Sequence, residues 1–385
     1  MSAEPSQTQS QPHAADDELN ILAGTCYCLF AYDVGFGIDL DEADRRVTAA
    51  IAKQRARMRR KRRAPQYFEY DPPPLRITLE APPVKVGPWR TAGQIEVVVY
   101  DFGAVAITYA IPLRGPLQGL LKLADELWDH AELLRCSRSA VEKLLETIRP
   151  AVTRPGVSEL VEDYVIYQIE RARPELDVDR IVERHAQPLA QIMRAEPGRL
   201  SDQEVSDALA CRLSYGPDDL VLVDWNAAMV FDRDAEDVRV VLEYANVELL
   251  ELRLLDDQLD HDLDEAYEVV SRPERPWWRA LDSRSEELRR IAGLQMDSAL
   301  LFEGVNNALK LLGDQYLARL YRLTSERLHL NQWDASILRK LQTLEGLYER
   351  LSDERSNRRI EVLEWIIILL IAVSIVLPFF TDLSH

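Results

Sequence analysis

The sequence has few of the residues from which metal, cofactor and disulfide sites are built. Its 385 residues include four cysteines and six histidines. It contains no Gly-rich phosphate loop, no GxGxxG after a strand, no HExxH and no GxSxG. Cys26 and Cys28 have the period-2 spacing that places both thiols on one face of a strand, and no second pair completes a metal site. These absences argue against an enzyme with a cofactor and predict free thiols in a reducing compartment.

Positive charge is also scarce, with 46 Lys and Arg against 65 Asp and Glu and a net charge of −19. Such a field repels phosphates, so the protein is not expected to coat nucleic acid. The first residues lack both an apolar run and any Lys or Arg before Arg45, so we expect neither a secretory signal nor an Arg-rich transit peptide. We expect a disordered tail over residues 1–20. The hydrophobic content of 47% excludes disorder of the whole chain.

The pattern of hydrophobic residues predicts an α+β fold with five parts. Two βαβββα-like segments, a long antiparallel helical coiled-coil stalk and a C-terminal transmembrane helix follow the tail. Their predicted boundaries are 21–150, 151–234, 235–359 and 360–380. In the first segment we expect strands at 25–36, 75–80, 95–102 and 104–111, with helices at 39–63 and about 116–148. In the second we expect strands at 161–170, 205–215, 220–225 and 227–231, with a helix at 177–194.

The tips of two predicted hairpins correspond and suggest an internal repeat. Residues 100–104 read Tyr-Asp-Phe-Gly-Ala, and residues 223–227 read Val-Asp-Trp-Asn-Ala, 123 residues later. In each, Asp is expected to bond its own backbone, and Gly103 or Asn226 to take the left-handed conformation of a bulged hairpin. The alternative is a chance similarity of two hairpin tips.

From residue 236 the apolar residues follow steps of three and four, which is the coiled-coil pattern. The predicted seams interrupt this pattern with polar residues at Asp256, Gln295, Ser298 and Arg319. Three long helices that fold back on each other account for the spacing. The seam positions of the first helix are Leu242, Ala245, Leu249, Leu252, Asp256, Leu259, Leu263, Ala266 and Val270; the later ones lie at 288–323 and 337–351.

An apolar run closes the sequence. Twelve of the sixteen residues from Trp365 to Phe380 are Ile, Leu, Val or Phe, and none is charged. Each such residue favours insertion by roughly 0.3 to 0.6 kcal/mol. We predict a single tail anchor, with a buried C-terminal helix as the alternative. The residues at its centre are Trp365, Ile366, Ile367, Ile368, Leu369, Leu370 and Ile371.

The basic residues around this run predict its orientation. Arg350, Arg355, Arg358 and Arg359 precede it, and the five residues after it carry no Lys or Arg. By the positive-inside rule the bulk of the chain is expected in the cytoplasm. A bacterial inner membrane is the expected location.

The best candidate for a contact surface is a run of basic residues with no acid between positions 51 and 63. It could be the solvated end of a helix, matched to the helix dipole. It could instead bind RNA or a ribosome, or an anionic lipid surface beside the anchor. The residues of this basic run are Lys53, Arg55, Arg57, Arg59, Arg60, Lys61, Arg62 and Arg63.

A second cluster combines Asp257, His261 and Glu265 at helical spacing, with Asp260 and Asp264 beside them. With a partner helix, such an alignment could bind a divalent metal. Otherwise it is a solvated acidic face. No other catalytic, cofactor or metal residue and no small-molecule substrate is indicated.

Arg327, Leu330 and Asn331, followed by Leu-Glu-Trp-Ile-Ile-Ile at 363–368, form a pattern at the end of the sequence. By this pattern, residues 270–371 resemble the "required for meiotic nuclear division" family. That family ends in a helix with Arg and Leu-Asn, a further helix and a Leu-Glu-Trp-Ile-Ile-Ile anchor. Arg327, Leu330, Asn331 and residues 363–368 stand in those places. Residues 273–278 resemble its Pro and Trp turn, and Tyr100 to Val105 its aromatic-Gly hairpin. Its Ser-His-Ala-Leu-Ala-Gln-Ser stretch is absent, so this chain would be a divergent member.

Known relatives in that family include an inner-membrane mitochondrial protein that supports organellar translation and forms oligomers. The resemblance therefore implies a membrane-bound, self-associating protein that is connected with translation. The sequence as a whole predicts a non-enzymatic, tail-anchored scaffold that recruits cytoplasmic partners. The alternative is a metal-dependent membrane enzyme with its site near His261.

Overall fold

The computed structural model describes residues 19–54, 72–174, 178–271 and 315–349. These residues form two compact units. The first contains the described residues up to Glu251 together with 315–331, and the second contains 252–271 and 332–349. The mixed α+β class predicted from the sequence is confirmed by a large sheet with its associated helices.

The strands and helices alternate through the first unit and give way to helices at its end. In chain order they are β1 (Asn20–Asp33), β2 (Gly37–Ile38), α1 (Leu40–Gln54), β3 (Leu75–Glu80), β4 (Lys85–Val86), β5 (Trp89–Arg90), β6 (Gln94–Val99), β7 (Ala104–Pro116), α2 (Gly119–Leu127), α3 (Ala131–Ile148), a 3₁₀ turn (Arg149–Ala151), β8 (Val152–Thr153), β9 (Glu162–Arg173), α4 (Val178–Met193), α5 (Asp202–Ala208), β10 (Arg212–Leu213), β11 (Leu220–Val223), β12 (Ala227–Phe231), α6 (Glu236–Ser271), α7 (Gln315–Arg327) and α8 (330–349).

Eight of the described strands form one sheet in the order β10-β11-β12-β9-β1-β7-β6-β3. β1 and β9 lie at its centre and run antiparallel, with Cys26 opposite Tyr167. The strands of both predicted segments therefore belong to a single sheet. On each side of the central pair the order is the same: the second strand of a hairpin, then its first strand, then an edge strand.

The strand directions break this symmetry. β7 is antiparallel to β1, whereas β12 is parallel to β9. As a result, the edge strand β3 is antiparallel to β1, whereas the edge strand β10 is parallel to β9. An additional helix, α5, precedes β10 in the second half. The hairpin tips differ as well. Gly103 has a φ of 112°, in the left-handed region, whereas the φ of Asn226 lies outside that region. The expected repeat holds for strand order, but not for strand direction or for the Asn226 turn.

Two predicted elements, the strand at 205–215 and the helix at 116–148, differ from the structure because a helix N-cap interrupts each hydrophobic pattern. Residues 205–215 were expected as a strand, but α5 occupies the first part of that stretch. Its cap is Ser201, whose hydroxyl accepts a hydrogen bond from the Glu204 amide at 3.2 Å, which is half of a capping box. The long helix at 116–148 is divided at Asp129, which has a φ of 51°, and His130 caps α3.

The central strands present alternate side chains to the two faces of the sheet. Cys26 and Cys28 are buried free thiols in one core cluster with residues of α1 to α4. The predicted packing of both cysteines on one face is confirmed. Tyr27, between them, faces the other side, where the Arg239 guanidinium of α6 lies 4.4 Å from its ring centre. Helices therefore cover both faces of the sheet.

The predicted seam of α6 needs correction in two places. In the first unit, nearly every residue of 238–251 is buried, so this part of the helix has no solvated face at all. In the second unit the buried positions are Leu252, Leu255, Leu259, Asp262 and Ala266. Leu255 and Asp262 thus replace the expected Asp256 and Leu263, because Asp256 is used in a hydrogen bond and an ion pair to α8.

Several predicted features lie outside the described residues. They are the tail up to residue 18, residues 55–63 of the basic run, the turn at 273–278, the seam at 288–314 and the anchor at 360–380. Within the described parts of the chain, no helix is both long enough and apolar enough to cross a bilayer.

Candidate functional site

A fully buried carboxylate, Asp224, lies at the tip of the β11–β12 hairpin and binds two arginines. Arg194, the residue directly after α4, donates from Nε to Oδ2 at 3.0 Å, and Arg327 of α7 donates from Nε to Oδ1 at 2.8 Å. Tyr164 of β9 donates its hydroxyl to the Asp224 carbonyl oxygen at 2.8 Å. The hairpin tip is thereby tied to α4, α7 and the centre of the sheet.

Asp207 of α5 completes this group, which we call the arginine clasp (Arg194, Asp207, Asp224 and Arg327). It accepts hydrogen bonds from Arg194 at 2.6 Å and from Arg327 at 2.9 Å, and Glu204 pairs with Arg194 from outside. Hydrogen bonds from Arg327 and then Arg194 hold the pKa of the Asp207 carboxyl below its ordinary value. Two cations face three carboxylates, so the clasp has no surplus positive charge for an anion. Its ion pairs and hydrogen bonds stabilise the packing of these elements against each other.

Replacing Asp224 tests the clasp. An Asp224→Asn substitution removes the buried negative charge and leaves two guanidinium groups, only 13% and 15% exposed, without their inner partner. Breaking one side of a buried ion pair typically costs about 3 to 5 kcal/mol. We expect a loss of that size in the free energy of unfolding measured in urea.

The matched control is Asp257→Asn, the same change at an exposed position of α6. A surface change of this kind is expected to stay within about 0.5 kcal/mol. Equal unfolding free energies for the two variants would contradict the structural importance of the clasp.

The buried part of α6 carries acidic side chains that are satisfied by several different elements. Glu243 accepts hydrogen bonds from the Tyr100 hydroxyl at 3.2 Å and from Arg76 at 3.1 Å. Glu248 accepts from the hydroxyl of Tyr321 on α7 at 2.7 Å. These carboxylates were not identified from the sequence. Their partners lie far away along the chain, and Glu in a helix normally indicates a solvated face.

Two further acids influence each other through their charges: the half-buried Asp33 at the end of β1 and the buried Glu251 of α6. Burial raises the pKa of Asp33 to about 7, against a hydrogen bond from the Gly35 backbone that lowers it. Burial and then the Asp33 charge raise the pKa of Glu251 well above its ordinary value. Glu251 Oε1 is buried and has no hydrogen-bond partner in the described structure. Buried acids with raised pKa values are candidates for proton chemistry.

These raised pKa values predict how stability depends on pH. The folded state holds its protons more tightly than the unfolded state, so the contribution to stability is full below about pH 4 and is lost as the pH rises through about 7. An Asp33→Asn substitution mimics the protonated acid and removes its titration. We therefore expect the variant to lose less unfolding free energy than the wild type between pH 5 and pH 8, by at most about 3 kcal/mol.

Chemical unfolding at the two pH values measures this difference. The exposed Asp257→Asn variant serves again as the control, and it should keep the wild-type pH dependence. A wild type and an Asp33→Asn variant with the same pH dependence would show that Asp33 is not a buried, protonated acid.

A groove of about 950 Å³ lies between α1, α3 and the edge strand β3. Its charged side chains include Glu132 and Arg135, which pair with each other at 2.6 Å. Cys136 also lines it, and burial is the main cause that raises the pKa of this thiol, so it is not an activated nucleophile. Nothing in the lining of this groove therefore indicates a catalytic group, and much of its surface is apolar.

The sites predicted from the sequence are only in part within the described structure. Of the basic run, only positions 53 and 54 of α1 are described, and its contacts stay a prediction. Asp257, His261 and Asp264 are exposed on α6, and Asp260 pairs with Lys340 at 2.6 Å. Among the described residues, no three acidic, His or Cys side chains are grouped so that they could hold a metal ion.

The residues behind the family resemblance have different roles. Arg327 binds Asp224 and Asp207 in the arginine clasp, and Leu330 is buried, whereas Asn331 is exposed. The sequence singled out both Asp224, as a turn residue, and Arg327, as a motif residue. Nothing in the local pattern indicated that the two side chains meet.

The family described as "Uncharacterized protein MJ0711, N-terminal domain" matches residues 23–237. The chain belongs to this family. The matched span contains nearly all of the large sheet as well as Arg194, Asp207 and Asp224 of the arginine clasp, and it ends at the start of α6. It does not reach residues 270–371, so the resemblance to the "required for meiotic nuclear division" family stays a prediction.

One relative is the uncharacterized protein MJ0711 of Methanocaldococcus jannaschii. It is 22% identical over 240 residues, which cover 61% of this chain and 71% of the relative. No solved structure matches the chain.

Proposed function

We propose that the protein is a non-enzymatic, tail-anchored membrane scaffold. Its α+β unit faces the cytoplasm, and its helical region self-associates and recruits cytoplasmic partners. The observation that carries the proposal is the uncharged run from Trp365 to Phe380, with four arginines on one side of it and none on the other. At about 1.5 Å per residue, a helix from Val362 spans about 28 Å, close to the thickness of a hydrocarbon core.

The helices of the second unit support the stalk in this proposal. Leu252, Leu255, Leu259, Asp262 and Ala266 are buried at alternating steps of three and four. On α8, the ammonium group of Lys340 lies 2.8 Å from Asp256 and 2.6 Å from Asp260. Heptad spacing flanked by interhelical ion pairs is typical of a coiled coil. We propose that the stalk is such a coiled coil.

The use of charge in the first unit supports a scaffold rather than an enzyme. The buried charges of the arginine clasp, and those of Glu243 and Glu248 on α6, form structural hydrogen bonds and ion pairs. Partner recruitment through the basic run at 53–63, whether of RNA, a ribosome or anionic lipid, belongs to the proposal. A connection with translation rests on the family resemblance alone.

Membrane extraction of the full chain tests the anchor. Each replacement of a central apolar residue by Arg changes insertion by roughly 3 kcal/mol. We expect the wild type to stay with membranes after a high-salt, alkaline wash, and an Ile367→Arg, Leu370→Arg variant to move to the soluble fraction. A reporter fused after His385 should lie on the far side of the membrane.

The matched control is Ile367→Leu with Leu370→Ile, which changes shape but not hydrophobicity and should stay with the membrane. Retention of the arginine variant, or release of the wild type, would contradict a single anchor at this position. A far-side reporter before Met1 would contradict the orientation.

A further inference from the structure

A second cavity, of about 600 Å³, lies between α4 and α5 beside the short edge strand β10. One wall follows from a proline inside α4. Pro188 has no N–H to donate to the carbonyl of Arg184, and the chain is non-helical at His185, where φ is −116° and ψ is 19°. The kink lies next to Ala186 and Gln187, which both line the cavity.

The cavity is of a size and composition that suits a small molecule. Ligand sites commonly have volumes of about 300 to 1,000 Å³ and are mostly apolar with a few polar groups. The apolar side chains here are all aliphatic, which suits an aliphatic ligand chain rather than a flat ring. They come from Val182, Ala186, Val205, Leu209 and Ala210.

One polar group in the wall needs an acceptor. The Nε2 atom of Gln187 is buried and has no hydrogen-bond partner in the described structure. A buried N–H without a partner is costly, so native proteins nearly always satisfy it. Rotation of the Gln187 amide toward the cavity would let an acceptor atom of a bound ligand satisfy this donor.

Two further donors line the cavity. Arg199 and Arg212 are exposed, and within the described chain neither forms an ion pair. Asp202 is the only acid among the lining residues, so the charged side chains of the cavity sum to one positive charge. This distinguishes the cavity from the arginine clasp, where Arg194 and Arg327 are fully engaged with carboxylates.

We propose that this cavity binds a small aliphatic carboxylate. Its carboxylate accepts hydrogen bonds from Gln187 and from Arg199 or Arg212, and its hydrocarbon body packs against the valine and leucine side chains. A carboxylate fits the planar guanidinium group with two parallel hydrogen bonds. The apolar walls require a ligand with a hydrocarbon chain, which an inorganic anion lacks. The site is independent of the membrane anchor and of the scaffold proposal.

Calorimetric titration of the full chain in neutral detergent tests this proposal with three probes. Sodium hexanoate has both the chain and the charge, 1-hexanol has the chain alone, and inorganic phosphate has the charge alone. We expect saturable binding of hexanoate, about tenfold or more tighter than that of either other probe. Absence of saturable hexanoate binding at millimolar concentration, or equal affinity for 1-hexanol, would overturn the proposal.

Variants locate the binding. Arg199→Gln with Arg212→Gln should weaken hexanoate binding about tenfold or more, and both positions are exposed, so the fold is retained. Gln187→Leu should weaken it as well. The control is Arg233→Gln, which removes an exposed arginine outside the cavity and should leave binding unchanged. Full binding by the double variant, or equal weakening by the control, would overturn the assignment.

Discussion

The first part of α6 imposes the main constraint on this protein, because it is a helix with polar groups that is buried on nearly all sides. A buried carboxylate or amide is costly unless its hydrogen bonds are made, and in this part of α6 most of them are. Tyr100 and Arg76 satisfy Glu243, the Glu162 carbonyl accepts from Asn246, and Tyr321 satisfies Glu248. The partners come from the edge strand, a hairpin tip, the central strand and α7. One helix therefore fixes the positions of elements spread over most of the first unit.

This constraint bears on how the domain is divided. The family match ends at residue 237, one residue after α6 begins. Yet Arg239 of α6 lies over Tyr27 and pairs with Glu96 at 2.8 Å, and Arg327 of α7 binds the Asp224 hairpin tip. The sheet of the N-terminal domain thus depends on helices that follow it in sequence. We infer that the folding unit of this chain is larger than the matched span.

Local signals in the sequence were enough to predict much of the sheet. The strand at Leu75–Glu80, the pairs of strands around each hairpin and the shared face of Cys26 and Cys28 follow from period-2 patterns and turn residues. The predicted strand at 205–215 is wrong in its first part, because the Ser201 cap of α5 outweighs a short apolar pattern, and only Arg212–Leu213 forms a strand. The seam predicted for α6 from the heptad pattern is wrong in the first unit. There the helix is buried on all sides, so its buried positions do not recur at steps of three and four.

The arginine clasp and the buried acids were beyond prediction for a different reason. Asp224 is 30 residues from Arg194 and 103 from Arg327, and only the tertiary fold brings them together. Likewise, Asp33 and Glu251 come from opposite ends of the first unit's main chain segment. A single sequence indicates side-chain chemistry and local geometry, but it carries no signal for which distant charges compensate each other.

Native-state hydrogen exchange along α6 tests the central claim most directly. If the first part of this helix is the buried centre of the first unit, the amides of residues 240–250 should exchange only through global unfolding, together with those of β1 and β9. Amides on the exposed face around Asp257 to Asp264 should exchange through smaller openings. Exchange at residues 240–250 with a clearly lower opening free energy than in β1 and β9 would contradict the account.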